Sequence, residues 1–267
     1  MTSIKVKSLI KKTIPQKNYS LFREQYLKLK YFGTKFTCPF CKGIFRTFLP
    51  FGVKNPIFEE KNIIGGGYRL NVMCPCCNST DRERNIYLYL KNKTNIFNED
   101  ITLLHVAPES NLKKVFINCS TIHYLTVDLK STSVMAKMDL TNIACIDNSF
   151  DVIICNHVFE HIPNDRKAIS ELYKVLKRGG WAILQVPISQ SLTATYEDPS
   201  ITGQEEREKI FGQKDHVRIY AKDYIKKLQN AGFSVEIYNY AIEHGENASK
   251  KYGLLKEEDI YICSKKR

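Results

Sequence analysis

The chain has 267 residues and a formal net charge of +12, from 40 lysines and arginines against 28 aspartates and glutamates. Its apolar fraction of 43% and charged fraction of 25% are ordinary for a globular protein, which excludes fibrous and wholly disordered classes. The longest apolar runs have the length of strands and no secretory signal is recognised, so we expect no membrane span and a cytoplasmic location.

The positive charge is concentrated in the first third of the chain. Residues 1–92 contain 17 basic and 5 acidic residues, whereas residues 93–267 contain 23 of each. A basic region of this kind indicates nucleic acid, an anionic membrane surface or an acidic partner, although a solvated lysine-rich surface explains the charge equally well.

Residues 1–35 are predicted to be a basic leader that is helical in part. A loosely helical apolar pattern runs from Ile4 to Ile14 and is stopped by Pro15, and a second helix is expected over Ser20–Lys30.

Residues 36–92 contain two cysteine pairs followed by a connecting helix. The pairs have the C-x₂-C spacing that lets two thiolates face one ion, and two such pairs complete a tetrahedral site of four sulfurs that suits structural Zn²⁺. The predicted ligands are Cys38, Cys41, Cys74 and Cys77. Cys76 is the alternative to Cys77, but it would leave an unfavourable C-x-C spacing. The glycine triplet at 65–67 is expected to form the tip of a long hairpin between the pairs.

The connecting helix is predicted within "STDRERNIYLYLKNK", with Ser79 or Thr80 as N-cap and with Ile86 and Leu90 facing inward.

From residue 101 the pattern changes to alternating strands and helices, which predicts a mostly parallel sheet with helices on both faces. A helix opens at 163–165, runs through Leu176 and is closed by "KRGG". The predicted strands are Ile101–Ala107, Ile122–Asp128, Asp151–Cys155, Trp181–Pro187, Phe233–Tyr240 and Asp259–Ser264. The last two follow each other without an expected helix, so the final strand is predicted to be antiparallel.

Three acidic or amide side chains follow strands of this sheet, where open α/β sheets place their ligands. Asp128 ends the second strand and can accept hydrogen bonds from the ribose hydroxyls of a nucleotide, or can cap a loop. Asp139, with the backbone amide of Leu140, can bind an adenine ring, and Asn156 lies at the exit of the fourth strand.

The segment "NSFDVIICNHVFEHIPNDRKAISELYKVLKRGGWAILQVP" resembles the class I S-adenosylmethionine-dependent methyltransferases, in particular the type 11 group, and the similarity covers roughly residues 101–267. The cysteine segment with "FRTFLPFG", "CPCCNSTDRER" and "FGQKDHVRIY" resembles a bacterial subgroup that has an N-terminal zinc-ribbon-like segment. The arrangement is less closely similar to an rRNA guanine methyltransferase.

The resemblance implies a Rossmann-like, seven-stranded α/β sheet whose last strand is antiparallel, over residues 93–267. It implies S-adenosylmethionine as cofactor, with Asp128 at the ribose, Asp139 and Leu140 at the adenine, and Asn156 at the methionine part. His157 and the Glu160–His161 pair are expected nearby.

The turn after the first strand departs from this family. His105 stands where an acidic residue is usual, and Ala107, Pro108 and Glu109 replace a G-x-G loop. A left-handed residue is costly there without glycine, and proline removes a backbone donor. Either Glu109 meets the ammonium group of the cofactor or the site is weakened; Glu109 can also be the N-cap of the next helix.

The region between the fifth strand and the penultimate helix is expected to cover the site as a substrate lid. It contains His216, which suits proton transfer, Asp215, which can orient that histidine, and Arg218, which suits binding of an anionic group. His157 is the competing base, and a salt-bridged structural loop is the other explanation.

The leading functional prediction is methyl transfer to an O or N acceptor on a small molecule or glycan precursor. One alternative is an RNA methyltransferase that grips RNA through its basic zinc module. The other is a non-catalytic binding protein with a decayed cofactor turn.

Overall fold

The computed structural model describes residues 16–267, with side chains from residue 22. The helix predicted before Pro15 lies outside the described residues. The second predicted helix is present and begins earlier than expected, at Gln16. Within residues 16–267 no helix has the length and apolar character needed to cross a membrane.

Two helices and five short strands precede a third helix, which leads into the main sheet. They are α1 (Gln16–Lys30), β1 (Phe32–Thr37), β2 (Ile44–Phe45), β3 (Leu49–Phe51), α2 (Ile57–Glu60), β4 (Ile63–Ile64), β5 (Arg69–Met73) and α3 (Asp81–Lys93).

The remaining elements alternate between strands and helices. In chain order they are β6 (Ile101–Val106), α4 (Ser110–Ile117), β7 (Ile122–Asp128), β8 (Ala136–Lys137), β9 (Phe150–Asn156), α5 (Asp165–Val175), β10 (Leu176–Gln185), β11 (Ile188–Ser189), β12 (Tyr196–Glu197), α6 (Gln204–Phe211), β13 (Arg218–Ile219), α7 (Tyr224–Asn230), β14 (Ser234–Asn239), α8 (Tyr240–His244), α9 (Glu246–Lys251) and β15 (Asp259–Ser264). A short 3₁₀ turn, Phe159–His161, follows β9.

Seven strands form one sheet in the order β14-β15-β10-β9-β6-β7-β8. The strands from β10 to β8 are mutually parallel, and β15 runs antiparallel to both of its neighbours. This confirms the predicted Rossmann-like sheet with an antiparallel last strand. The central parallel strands β6 and β9 are buried on both faces, which explains their nearly continuous apolar sequences.

The connection between the last two strands differs from the expected one. Two short helices, α8 and α9, lie between β14 and β15, where no helix was expected. Their five and six residues do not make a crossover over a face of the sheet, because α9 instead packs against β1. The chain therefore returns beside β14 in the opposite direction.

Apolar clusters fill both faces of the sheet. On one face α5 and α7 contribute Ile169, Leu172 and Leu228, and on the other α3 and α4 contribute Ile86, Leu90 and Phe116. The helix α3 is therefore part of the core of the α/β domain rather than only a connection to it. Its N-cap is Thr80, which forms a capping box with Glu83.

The helix α5 ends one residue earlier than predicted. Leu176 already begins β10, and "KRGG" lies inside this strand as an irregular stretch rather than as a helix cap. A side chain at Gly180 would stand 2.7 Å from the carbonyl oxygen of Asp151, so the close approach of two strands explains this glycine.

The glycine triplet is not the tip of a hairpin. The strands β3 and β5 pair directly, and residues 52–68 between them leave the cysteine region as an insertion, which we call the roof segment. Its strand β4 pairs with β11, and Asn55 donates hydrogen bonds to the carbonyl oxygens of Glu208 and Gly212. The roof segment therefore lies over the α/β domain, where the main-chain ladder and a cluster around Phe58 hold it.

Candidate functional site

The four predicted cysteine ligands converge in a small core of their own. The Sγ atoms of Cys38 and Cys77 are 3.5 Å apart, those of Cys41 and Cys74 are 3.7 Å apart, and all four sulfurs lie within 4.8 Å of one another. Cys76 is not part of this group, which agrees with the choice of Cys77. A four-sulfur cluster of this size is compatible with a tetrahedral zinc ligand set.

The two cysteine pairs have the same backbone geometry. Lys42 and Asn78, the residues that follow each pair, both have left-handed φ angles, of 57° and 60°. The N–H groups of Lys42 and Asn78 donate to the carbonyl oxygens of Cys38 and Cys74, the first cysteine of each pair. The N–H groups of Cys38 and Cys74 donate in turn to the carbonyl oxygens of Gly43 and Ser79. Two matching tight turns thus aim two thiols each at one point.

The turn after β6 retains a left-handed residue although it has no glycine there. Ala107 has φ +45°, and its N–H donates to the carbonyl oxygen of Val127 at 2.8 Å. Alanine accepts this conformation at a cost of about 1–2 kcal/mol. The absence of glycine therefore leaves the shape of the turn in place and adds strain.

We expect Ala107→Gly to raise the free energy of unfolding by about 0.5–1 kcal/mol, because relief of the left-handed strain exceeds the added entropy of the unfolded chain. Chemical denaturation monitored by circular dichroism measures the change. Ala168→Gly, in the interior of α5, is the control and should lower it by about 1 kcal/mol. If Ala107→Gly lowered the free energy of unfolding as much as the control does, the backbone at Ala107 would not be strained.

His105 lies behind the turn and lines neither of the two spaces described below. Its side chain is fully buried, with Nδ1 2.8 Å from the hydroxyl of Tyr124 and Nε2 2.8 Å from Oε2 of Glu109. The other oxygen of Glu109 accepts a hydrogen bond from Nδ2 of Asn156 at 3.0 Å. Burial opposes ionisation of Glu109, but the hydrogen bond from His105 holds its pKa below the usual value. His105 therefore positions a charged Glu109, whose side chain makes no cap on α4 although it occupies the N-cap position.

A cleft of about 300 Å³ opens at the carboxyl ends of β6 and β7, and we call it the sheet-edge cleft. Four of the predicted cofactor residues line it: Ala107, Asp128, Asp139 and Leu140. Oδ1 of Asp128 accepts the N–H groups of Lys130 and Ser131, and Oδ1 of Asp139 accepts from Thr141. Both carboxylates thus cap their own loops, while Oδ2 of each has no hydrogen bond to the described residues.

A second cavity, of about 640 Å³, lies under the roof segment, and we call it the roof cavity. Glycines 65–67 and Arg82 line it from the N-terminal side, and Glu160 and His216 line it from the α/β domain. His157 and His161 line both the roof cavity and the sheet-edge cleft. The two spaces therefore meet at these two histidines.

His157 is held in a strained position at this junction. Its φ is +53°, its N–H donates to the carbonyl oxygen of Gln185 at 2.7 Å, and its Nδ1 is 3.3 Å from Oε1 of Glu160. Burial lowers the pKa of His157 well below its ordinary value, so its imidazole is neutral. A side chain at Gly65, whose φ is +82°, would stand 3.4 Å from the ring, so the roof segment reaches the histidine as bare backbone.

Glu160 and His216 are also buried beside the roof cavity. Burial raises the pKa of Glu160 to about 8 and lowers that of His216 to about 4. The ring centroids of His161 and His216 are 4.7 Å apart, and Oδ2 of Asp215 lies 3.2 Å from Nδ1 of His161. The predicted lid thus brings His216 and Asp215 to His161 rather than forming a pair of its own.

Arg218 has a different place from the one expected for binding a substrate anion. Its guanidinium donates to the carbonyl oxygens of Phe159, Ile162 and Pro163 and to Oε2 of Glu197. The side chain is 3% exposed and lines neither space. Arg218 therefore fixes the turn that contains Glu160 and His161.

Arg82 is a site residue that the sequence did not reveal. It follows the N-cap of α3 and lines the roof cavity, and its Nε is buried without a hydrogen bond among the described residues. Its sequence neighbours Arg84 and Asp81 form contacts within the protein. Arg84 donates hydrogen bonds to four main-chain carbonyl oxygens, and Asp81 forms an ion pair with Arg69. No local signal distinguished Arg82 from them.

Comparison with known proteins gives one family and several structures. Residues 106–184 match a family described as a methyltransferase domain. No curated protein sequence matches the chain.

The similar solved structures include the [4+2]-cyclase SpnF, a SAM-dependent methyltransferase from Archaeoglobus fulgidus and phosphoethanolamine N-methyltransferase 2 from Haemonchus contortus in complex with S-adenosyl-L-methionine. Their identities to this chain are 14%, 13% and 14%, and their TM-scores are 0.49, 0.45 and 0.45. They cover 70%, 70% and 68% of this chain, and the chain covers 81%, 95% and 53% of theirs. At these values the likeness gives no information on reaction or substrate.

The matched segment extends from the end of β6 into β10, and it contains the Ala-Pro-Glu turn, Asp128, Asp139 and Asn156. The resemblance to the type 11 group is thus confirmed for residues 106–184, which include most of the residues that line the sheet-edge cleft, and this segment matches the methyltransferase-domain family.

Proposed function

We propose that the chain is an S-adenosylmethionine-dependent methyltransferase that acts on an O or N acceptor of a small molecule or glycan precursor. The observation that carries the proposal is that the sheet-edge cleft and the roof cavity meet at His157 and His161. A cofactor in the first space and an acceptor in the second would have their reacting groups at this junction. The spaces are large enough for two ligands of moderate size.

The residues of the sheet-edge cleft fit the cofactor. The Oδ2 atoms of Asp128 and Asp139 would accept hydrogen bonds from the ribose hydroxyls and the adenine amino group. Asn156 and Glu109 do not line this cleft, but they lie at the end of β9 and just after β6. Oδ1 of Asn156 is buried without a partner among the described residues, and it would accept a hydrogen bond from the ammonium group of the cofactor. When bound, S-adenosylmethionine supplies a methyl group on a positively charged sulfur.

The roof cavity supports an acceptor that bears a negative charge. Arg82 faces this cavity, and it makes no ion pair with the described residues. His157 is neutral and its Nε2 is buried without a hydrogen bond, so it can take a proton from a hydroxyl or amine. Glycines 65–67 of the roof segment offer main-chain groups at close range.

The proposal predicts that the wild-type chain binds S-adenosylmethionine and S-adenosylhomocysteine with one site per chain. Titration calorimetry of the folded protein measures this directly. A folded sample that binds neither compound would refute the proposal, and it would favour the alternative of a binding protein that has lost its cofactor. The left-handed Ala107 and the two unengaged carboxylate oxygens speak for retained binding.

An RNA acceptor remains the second candidate because of the basic excess in residues 1–92. Part of this excess is not at the surface, since Arg84 is fully buried. An RNA enzyme would be retained on RNA with a steep dependence on salt concentration. Retention that does not change between about 50 and 200 mM salt would exclude this candidate.

A further inference from the structure

A group of metal-ligating side chains lies apart from the four cysteines. Glu160, His161 and His216 each offer one ligand atom, and these three atoms all lie within 4.8 Å of one another. Glu160 and His161 belong to the 3₁₀ turn after β9, and His216 comes from the loop before β13. All three line the roof cavity, and His161 also lines the sheet-edge cleft.

Two buried polar atoms of this group form no hydrogen bond among the described residues. Glu160 is 1% exposed and its Oε2 is buried without a hydrogen bond among the described residues. Nδ1 of His161 likewise forms no hydrogen bond among the described residues, although Oδ2 of Asp215 lies 3.2 Å from it, and His216 is 3% exposed. A buried polar atom without a partner costs about 1–3 kcal/mol, so the accumulation of such atoms at one place points to a bound group.

The charges around the group favour a cation. Asp215 adds a carboxylate 3.2 Å from His161, and the nearby guanidinium of Arg218 is occupied by main-chain carbonyls and Glu197. Arg69 and Arg82 are the opposing charges that line the same cavity; Arg69 pairs with Asp81, and no hydrogen bond or ion pair joins Arg82 to Glu160. The rings of His161 and His216 lie edge to face, with centroids 4.7 Å apart.

We propose that Glu160, His161 and His216 bind a divalent cation, and that the coordination position left open receives an oxygen atom of the acceptor. Two imidazoles and one carboxylate are a ligand set for Zn²⁺, Fe²⁺, Mn²⁺ and similar ions, and three protein ligands leave room for a further ligand. Arg218 is then the residue that positions two of these three ligands, because it holds the turn in which they lie.

The acceptor class follows from this site and rests on the proposed methyl transfer. A cation next to His157 lowers the pKa of a hydroxyl that approaches it, as it does for a water molecule. An amine acceptor gains nothing from such a cation, since its lone pair would be withdrawn. The acceptor is therefore an alcohol or phenol oxygen rather than a nitrogen.

Manganese is the probe that separates this site from the cysteines, since thiolates hold Zn²⁺ far more tightly than Mn²⁺. Protein that carries one zinc per chain, the amount that the four thiolates retain, is titrated with Mn²⁺, and free Mn²⁺ is measured by electron paramagnetic resonance. We expect one bound Mn²⁺ per wild-type chain and at least a roughly 100-fold weaker Kd for Glu160→Gln and for His216→Gln, each of which removes one of three protein ligands. His123→Gln, at an exposed histidine paired with Asp100, is the matched control and should bind as wild type does.

Binding of S-adenosylhomocysteine by each variant reports that the sheet-edge cleft is still folded. Absence of bound Mn²⁺ on the wild type, or equal affinity in all four proteins, would overturn the proposal. The outcome is separate from that of the proposed function, since Mn²⁺ binding without cofactor binding would leave the metal site standing and refute methyl transfer. Cofactor binding without Mn²⁺ binding would refute the metal site and leave the proposed methyl transfer standing.

Discussion

The variant Cys77→Ser should lose the zinc that is released by a thiol-blocking mercurial, from about one per chain to nearly none, whereas Cys76→Ser should retain it. Cys77 is one of the four sulfurs that converge, and Cys76 lies outside that group although it is buried in the same cluster. Structural zinc contributes about 10–16 kcal/mol to the folding of small zinc peptides, so the loss of one ligand removes the main support of this core. The cluster around the cysteines contains only a few further apolar side chains, such as Phe36, Phe45 and Phe48.

The same variant also tests how the cysteines support the roof cavity. The roof segment is bounded by β3 and β5, which adjoin the cysteine pairs, so it should become open to protease when the zinc is lost. The sheet-edge cleft contains no residue of the N-terminal part, and S-adenosylhomocysteine should therefore still bind. Limited proteolysis within residues 52–68 and calorimetry measure the two effects. Zinc content that is equal in Cys77→Ser and Cys76→Ser would refute the four-cysteine site.

Local patterns were sufficient to predict the parts of the molecule that depend on neighbours in sequence. The spacing of each cysteine pair predicts a tight turn, and both turns are present with Lys42 and Asn78 in the same left-handed conformation. Short apolar runs predicted the parallel strands, because such strands are buried on both faces. Asp128 and Asp139 could be assigned to one edge of the sheet because parallel strands bring their carboxyl ends together.

Long-range contacts decided the parts that the sequence did not predict. The roof segment is placed by a ladder of two residue pairs, Ile188 with Ile64 and Ser189 with Ile63, and so short a ladder leaves no periodic signal. The roles of His105 and Arg218 depend on partners that come from other elements, Tyr124 and the carbonyl oxygens of the turn after β9. A charged or titratable residue does not reveal by its type whether it faces a ligand or holds another residue.

The variant Asp128→Asn should weaken the binding of S-adenosylmethionine by at least about 100-fold, with little change in stability. Oδ1 of Asp128 accepts the N–H groups of Lys130 and Ser131, and an asparagine oxygen can accept the same two bonds. What asparagine cannot supply is the second acceptor, because its NH₂ group donates. Hydrogen bonds to a charged group contribute about 1.5–3 kcal/mol each, so two ribose hydroxyls account for a loss of this size.

Two further variants separate cofactor binding from the support of the loop. Asp128→Ala removes the loop bonds as well, so it should lower the melting temperature in addition to binding, and the difference from Asp128→Asn isolates the loop. Asp147→Asn changes a charged surface residue that pairs with Lys174, and it should bind the cofactor as wild type does. Calorimetric titration of the three variants gives the Kd values, and thermal unfolding gives the stabilities. If Asp128→Asn bound with the wild-type Kd, the carboxylate would serve only the loop formed by Lys130 and Ser131, and the cofactor would have to be held elsewhere.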